Sequence, residues 1–442
     1  MQLGFLQKSL KKETLLKNSK HTLSAIIVNQ TFAMLIFLTV PNILGQEDYA
    51  QTVYISVLMS FLVLSNFGMN FIYGRKMPSV YHENDAELIE QYNQTFFWFS
   101  LGMSLLGSIV ISFVYYMKFG LFLNAMFLVF VNPMLLIITF YIQKSSVKED
   151  FIVYRNINMK SAAIRLIIIP FSYIFGLVGW ISAQSIASLF VMGSIKNSLI
   201  LKYEQFNISL IKKHLFEGLI LLLNFFFWNQ LLNSGRLYAS IYFDSDVIAQ
   251  YGITNAGYVL LQTLIISIYL PVTIATLKIM KSDTKDAIQQ LFSVIIKTSI
   301  PIFFIIVFAI EFAPYLYEVF FPSYNIDFDI LKYQLLSLMT LPLIATLGNV
   351  FIGLEQPLKL LLIYALSFSV SFISMYLLKE EVFILSAAIS QLVGMLFLSL
   401  LLLVSVILNF KIYIDNPYKN LIQIFFIVFL PYCVYLLIRS YI

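Results

Sequence analysis

The sequence predicts an all-α polytopic membrane protein, with about twelve to thirteen transmembrane helices in two six-helix lobes. Three observations predict it. The first is composition: of 442 residues, 60% are hydrophobic, 16% aromatic and only 12% charged, and mean hydropathy is +0.85. Soluble domains run near half apolar and a quarter charged, so this chain lacks the polar surface to coat a globule in water. The second is run length: the apolar stretches reach the roughly 20 residues of a bilayer crossing and lack the alternation of barrel strands. LKLLLIYALSFSVSFISMYLL at 358–378 is one such run. The third is an ordered set of features that recurs in the two halves of the chain.

The composition excludes a sizeable soluble domain, a nucleic-acid reader and a secreted disulfide scaffold. The single cysteine, Cys433, forms no internal disulfide. The first twenty residues are basic and amphipathic, with Phe5, Leu6, Leu10, Leu15 and Leu16 among five lysines. This pattern suits an anionic lipid surface or a topology signal. The apolar run that follows, about His21 to Leu44, is longer than a signal-peptide core and has no small-residue cleavage site. It reads as a retained span.

In chain order, spans are expected at 21–44, 49–74, 94–117, 119–143, 156–177 and 179–200. A second set follows at 217–243, 248–279, 293–320, 330–353, 358–378 and 381–408, and a thirteenth at 418–438. They group as an N-terminal lobe over 1–200, a cytoplasmic linker over 201–215, a C-terminal lobe over 216–408 and an additional helix over 409–442.

The connections set the orientation. Those after even-numbered spans carry cations: Arg75 and Lys76; Lys144, Lys148 and Arg155; Lys196, Lys202, Lys212 and Lys213; Lys278, Lys281 and Lys285; Lys359; Lys411 and Lys419. The opposite connections are short and acidic or neutral: GQED at 45–48, DSD at 244–246, PSYNIDFD at 322–329 and KEE at 379–381. Lysine and arginine mark the cytoplasmic side, which places the N-terminus inside.

Asn29-Gln30 in the first span is matched by Asn229-Gln230 in the seventh. A short acidic outer turn follows each pair, Glu47-Asp48 and Asp244 with Asp246, and each leads into Ala-Gln at 50–51 and 249–250. The order points to a duplication of six spans. An even number leaves both copies facing the same way, with a site expected between the lobes at mid-depth.

The stretch VPNILGQEDYAQTVYISVLMSFLVLSNFGMNFIYGRKM (40–77) resembles the entry region of polysaccharide flippases in the multidrug/oligosaccharidyl-lipid/polysaccharide exporter superfamily. Those proteins carry a Leu-Gly-x-x-x-Tyr turn after the first span and a basic end to the second. WNQLLNSGRLYASIYFDSDVIAQYGITNAGYVLLQTL (228–264) is similar to their seventh and eighth spans. FFPSYNIDFDILKYQLLSLM (320–339) and LGNVFIGLEQPLKLLLI (347–363) are similar to the region of spans nine to eleven. Members often carry an acid–base pair in span 7, where this chain has Gly235 before Arg236. The resemblance implies a MATE-like fold in the bacterial cytoplasmic (inner) membrane. It also implies transport of undecaprenyl-diphosphate-linked oligosaccharide to the outer leaflet, for O-antigen, capsule or lipopolysaccharide assembly. Its implied partners are that substrate, membrane lipid and other polysaccharide-assembly membrane proteins.

Charges inside spans point to a site on their own account. A charge at mid-helix costs at least about 2.5–3.5 kcal/mol on insertion scales, so it faces a partner or a cavity. Arg165 lies mid-span with Ser161 and Ser172 at helical spacing; Asn229, Asn233 and Arg236 form a second such stripe. Guanidinium forks match the oxygens of a diphosphate, and amides can bond sugar hydroxyls. Arg165, Arg236, Asn229 and Asn233 are therefore the candidate substrate-binding residues. Glu311, expected as a buried carboxylate in span 9, is the candidate for H+ or Na+ coupling. Prolines at 41, 133, 170, 271, 301 and 342 are expected to kink their helices.

No GxxxxGK loop followed by Ser or Thr, no CxxC and no HExxH occurs, so no nucleotide, metal or other cofactor is expected. Two rival readings exist. A drug/cation antiporter of the same fold predicts acidic cavity residues rather than arginines. A polysaccharide polymerase or ligase predicts a long outer loop, whereas the outer connections here reach only about ten residues.

Overall fold

The computed structural model describes residues 2–83, 85–195, 203–280 and 284–410. The expected span at 418–438, with Cys433, lies outside them. Among the described residues every regular element is helical, and nine segments are long and apolar enough to cross a membrane. Ser24–Asn66 has 43 residues and Phe151–Ser194 has 44, about twice one crossing. Each is broken at a glycine, Gly45 at φ 73° and Gly176 at φ 58°. Gly45 falls in the expected outer turn, where only a residue without a Cβ takes the left-handed conformation freely. The helix Ser245–Met280 covers the expected span 248–279. The protein is a multi-pass membrane protein.

The chain divides into two compact units, 1–222 and 223–442. The first contains α1 (Gln2–Phe61), α2 (Met69–Glu83), α3 (Ala86–Phe119), α4 (Phe122–Val147), α5 (Phe151–Ile164), α6 (Ile168–Ser194) and the beginning of α7 (Ile208–Leu232). Within it α1 packs on α5 and α6, α3 on α4, and α4 on α6. Met69, Ile72 and Tyr73 meet Phe96, Phe97, Phe140 and Tyr141 in an apolar cluster. Ser100, Ser104, Ser108 and Ser112 form a buried row along α3, a small-residue face of the kind that lets helices approach closely in lipid.

Span 2, expected as one helix over 49–74, is interrupted. A 3-10 turn over Leu62–Asn66 leads to Phe67 at φ 51° and Gly68 at φ 78° before α2 begins. The Asn66 side chain accepts the Gly68 N–H at 2.9 Å, giving the backbone an alternative to the helical bond. Of the prolines, Pro133 and Pro301 lie inside continuing helices. Pro170 and Pro342 sit just after 3-10 turns at Arg165–Ile167 and Leu338–Thr340. A proline four residues on has no N–H for the carbonyls of Leu166 and Leu338, and the helix tightens there.

The second unit holds the rest of α7, then α8 (Ser234–Tyr242), α9 (Ser245–Met280), α10 (Thr284–Phe320), α11 (Phe328–Ser337), α12 (Leu341–Gly353), α13 (Pro357–Leu378) and α14 (Ser386–Phe410). α8, α11, α12 and α13 all pack on α14. One contact recurs in both units. Tyr115 at the end of α3 donates to Gln51 Oε1 at 2.7 Å, and Tyr317 at the end of α10 donates to the Ile253 carbonyl at 3.3 Å. Both bonds span 64 residues of sequence, which fits a duplicated architecture.

Polarity is distributed as lipid demands. Leu106, Val110, Phe113 and Met117 of α3, and Phe304, Phe308, Tyr315 and Val319 of α10, are exposed, while Asn93, Gln94, Gln334 and Gln391 are buried. Apolar surface on this scale needs an apolar surrounding.

Candidate polar sites within the spans

Arg165 belongs to the first unit. The turn forced by Pro170 places it 14 residues after Phe151 and 11 before Gly176, about midway along one crossing. Ser161 and Ser172, expected to share its face, are buried, whereas Arg165 is exposed. Its guanidinium has no hydrogen bond or ion pair among the described residues.

Arg236, Asn233 and Asn229 belong to the second unit, and all three are half-buried. Span 7, expected to run unbroken over 217–243, breaks at Asn233 (φ −109°, ψ 14°) between α7 and α8. Asn-Ser-Gly is a weak helical sequence, because Asn and Ser bond locally and Gly stabilises the helix least. The Asn233 Nδ2 donates to the Asn229 carbonyl at 2.9 Å and lies 3.4 Å from its Oδ1. Arg236 Nη2 reaches Asn233 Oδ1 at 3.5 Å, a long bond that leaves donor capacity for other acceptors. The three residues are thus joined through a helix break rather than along a continuous stripe.

Glu311 is exposed, which corrects the expectation of a buried carboxylate. It shares the outward face of α10 with Phe304, Phe308 and Tyr315, at three- and four-residue spacing. That face was selected by the apolar periodicity of α10 and carries Glu311 outward with it.

Comparison with solved structures places this architecture. A MATE transporter of Vibrio cholerae aligns over 92% of this chain and 98% of its own, with TM-score 0.66 and 13% identity. An inward-facing multidrug resistance MATE family transporter of the MOP superfamily aligns over 88% and 98%, with TM-score 0.69 and 14% identity. The lipid II flippase MurJ in an inward closed conformation aligns over 96% and 98%, with TM-score 0.67 and 16% identity. This chain has the MATE transporter fold. No protein-family profile and no curated protein sequence matches it.

Within the MATE fold of this chain, sequence reasoning missed the residue that closes the break in span 7. Gln391 of α14 donates from Nε2 to the Leu232 carbonyl at 2.7 Å and accepts the Gly235 N–H on Oε1 at 3.2 Å. One amide therefore satisfies one orphan group from the end of α7 and one from the start of α8. Tyr238 of α8 donates to Ser371 Oγ at 3.1 Å, and Ser371 donates to the Ser390 carbonyl at 2.8 Å, tying α8 to α13 and α14. A signal was present: a glutamine in the apolar run SAAISQLVGMLF is as conspicuous as the asparagines of span 7.

Proposed function

We propose that this protein is a flippase. It moves undecaprenyl-diphosphate-linked oligosaccharide repeat units from the cytoplasmic to the outer leaflet of the bacterial cytoplasmic membrane, for O-antigen, capsule or related polysaccharide assembly. The observation that carries the reading is Arg165, an exposed residue midway along a crossing whose guanidinium has no partner among the described residues. Such a charge is stable only against water or an anion, and a diphosphate headgroup supplies the anion during passage. Arg236 with Asn233 and Asn229 adds a second cationic group beside amides suited to sugar hydroxyls. The MurJ flippase, whose name states a lipid-linked cargo, has this fold, and that supports a cargo of the same physical type.

The second reading is drug/cation antiport, supported by the MATE transporters of equal similarity. A cationic drug calls for inward acidic groups; Arg165 and Arg236 are cationic, and Glu311 of span 9 is turned to the exposed face of α10, so the flippase is preferred. The experiment uses the full chain in vesicles bearing a fluorescently labelled undecaprenyl-diphosphate oligosaccharide, with a membrane-impermeant lectin reporting on the label. Labelled headgroup crossing the bilayer at a protein-dependent rate is the expected result. No crossing, together with gradient-driven efflux of a cationic dye, would overturn the reading in favour of the antiporter.

Coupling to H+ or Na+ is part of the proposal, with Glu311 as its candidate carboxylate. Glu311→Gln is expected to flip substrate in the absence of a gradient but to lose acceleration by an imposed proton or sodium gradient. Full retention of that acceleration removes Glu311 from the cycle.

A further inference from the structure

A second group of polar atoms lies deep in the second unit, beside the α7–α8 break that also carries Arg236. Gln334 of α11 is fully buried, and neither its Nε2 nor its Oε1 has a hydrogen-bond partner among the described residues. Its Nε2 lies 3.4 Å, and Gln391 Oε1 lies 2.6 Å, from the point where a Gly235 side chain would begin. Tyr258 of α9 is also fully buried. Its hydroxyl sits beside Ser337 and Gln391 without reaching hydrogen-bonding geometry. On the same face of α9, Asn255 is 3% exposed and its Oδ1 is unpartnered among the described residues. Gln334 of α11 and Tyr258 of α9 thus bring polar atoms to the place where Gln391 closes the α7–α8 break, with Asn255 one turn away on the same face of α9.

The kinds of atom select the ligand. A bare cation would satisfy Asn255 Oδ1 and Gln334 Oε1 but has nothing for the Gln334 amide hydrogens. An anion has the opposite defect. Water donates two bonds and accepts two, so it matches a mixed set and is small enough for a buried site. Interchanging the oxygen and nitrogen of Gln334 leaves the conclusion intact, because both ends lack partners. Buried polar groups in native proteins are bonded, commonly to ordered water. Gly235 preserves the room, since a methyl there would abut both Gln391 and Gln334.

We propose that Gln334, Tyr258 and Asn255 form an internal water site behind the α7–α8 break, in which ordered water links Gln334 to the Tyr258 hydroxyl. Gln391 then closes the break with a hydrated amide cluster at its back, not a dry apolar one. The inference stands apart from the transport reading and is tested without a transport assay.

The test is thermal unfolding of the purified full chain in detergent, as Gln334→Leu, Tyr258→Phe and the double variant. Groups that were truly unbonded would be relieved by apolar replacement, and Tm would rise. A water-bonded cluster gives the opposite sign: each single variant is expected to lower Tm by about 2–4 °C, and the double variant by less than the sum, because the two share a water. A Tm that rises or stays unchanged in Gln334→Leu overturns the proposal. Should that variant fail to fold, X-ray radiolytic footprinting of the unmodified protein decides, since bound water generates hydroxyl radical in place. Tyr258 is expected to oxidise well above Tyr251, which is equally buried but bonded to the Ile384 carbonyl at 2.6 Å and the Ala388 N–H at 2.9 Å. Equal protection of the two tyrosines overturns it.

Discussion

Gly68→Ala is expected to abolish accumulation of folded protein in the membrane. The alanine Cβ would lie 2.0 Å from the Gly218 carbonyl oxygen and 2.4 Å from its carbon. These are backbone atoms of α7, so no side-chain rotation can relieve the contact. Gly68 also has φ 78°, a left-handed conformation that adds a penalty for any residue with a Cβ. Together the strain and the overpacking come to about 3–5 kcal/mol, a large share of the 5–15 kcal/mol typical of a folded protein. The surroundings raise the cost, because they hold α7 in place. Glu217 pairs with Arg75 at 3.1 Å and Lys76 at 3.4 Å, and Tyr92 bonds His214 at 3.2 Å. Gly218→Ala should be milder, since one of its close contacts is the mobile Met69 Cε at 2.9 Å. Gly102→Ala, with nothing within 4 Å, should be neutral or slightly stabilising, because alanine is the better helix former. Detergent-extracted yield and Tm by size-exclusion chromatography and fluorescence give the ranking. Wild-type values for Gly68→Ala would mean that α2 and α7 do not cross at this point.

Arg165→Leu and Arg236→Leu are each expected to cut headgroup translocation by about 10–100-fold at unchanged protein level. That is the kinetic equivalent of losing one charge-assisted bond of about 1.5–3 kcal/mol. Lysine at either position keeps the charge but not the fork, so partial activity is expected from Arg165→Lys and Arg236→Lys. Stability separates this from the purely structural alternative. An arginine that merely faced lipid would be relieved by leucine, and Tm would rise with transport intact. The two positions should also differ. Arg165, with no partner among the described residues, should lose little stability in either variant. Arg236 contacts Asn233, and Arg236→Leu should loosen the α7–α8 break as well. Normal flipping and raised Tm in both leucine variants would remove the diphosphate-binding role.

The course of the helices was largely legible because bilayer insertion is dictated by local chemistry. A run of apolar residues must be helical in lipid, whatever surrounds it. Gly45 within GQED, Gly120 after α3 and the turn around 244 fall where the apolar runs lapse, and the break at 176 falls at a glycine. The matched Asn-Gln and Ala-Gln pairs led to the expectation of two like units; the tyrosine bonds from α3 and α10, each spanning 64 residues, are compatible with it. The interruptions inside spans were not legible. LSNFGMN and LLNSGRL pass a hydropathy reading; Asn66 and Asn-Ser-Gly make the helix locally weak there, and distant contacts hold the breaks. Gly68 meets a carbonyl 150 residues away in sequence, and Gln391 reaches Leu232 and Gly235 across 159 and 156 residues.

The candidate site divides in the same way. Insertion cost alone marked Arg165, Arg236 and the span 7 asparagines as unusual, since that cost depends only on the residue and its depth. Local contacts three and four residues apart join Asn229, Asn233 and Arg236, while tertiary packing left Arg165 exposed and turned Glu311 outward. By itself the sequence determined that this chain threads the bilayer repeatedly, and roughly where, because hydrophobic transfer is a sum over neighbouring residues. Where the rods break, and which buried amides hold the breaks, was decided only in the folded structure, because a hydrogen bond requires two groups that the chain brings together from far apart.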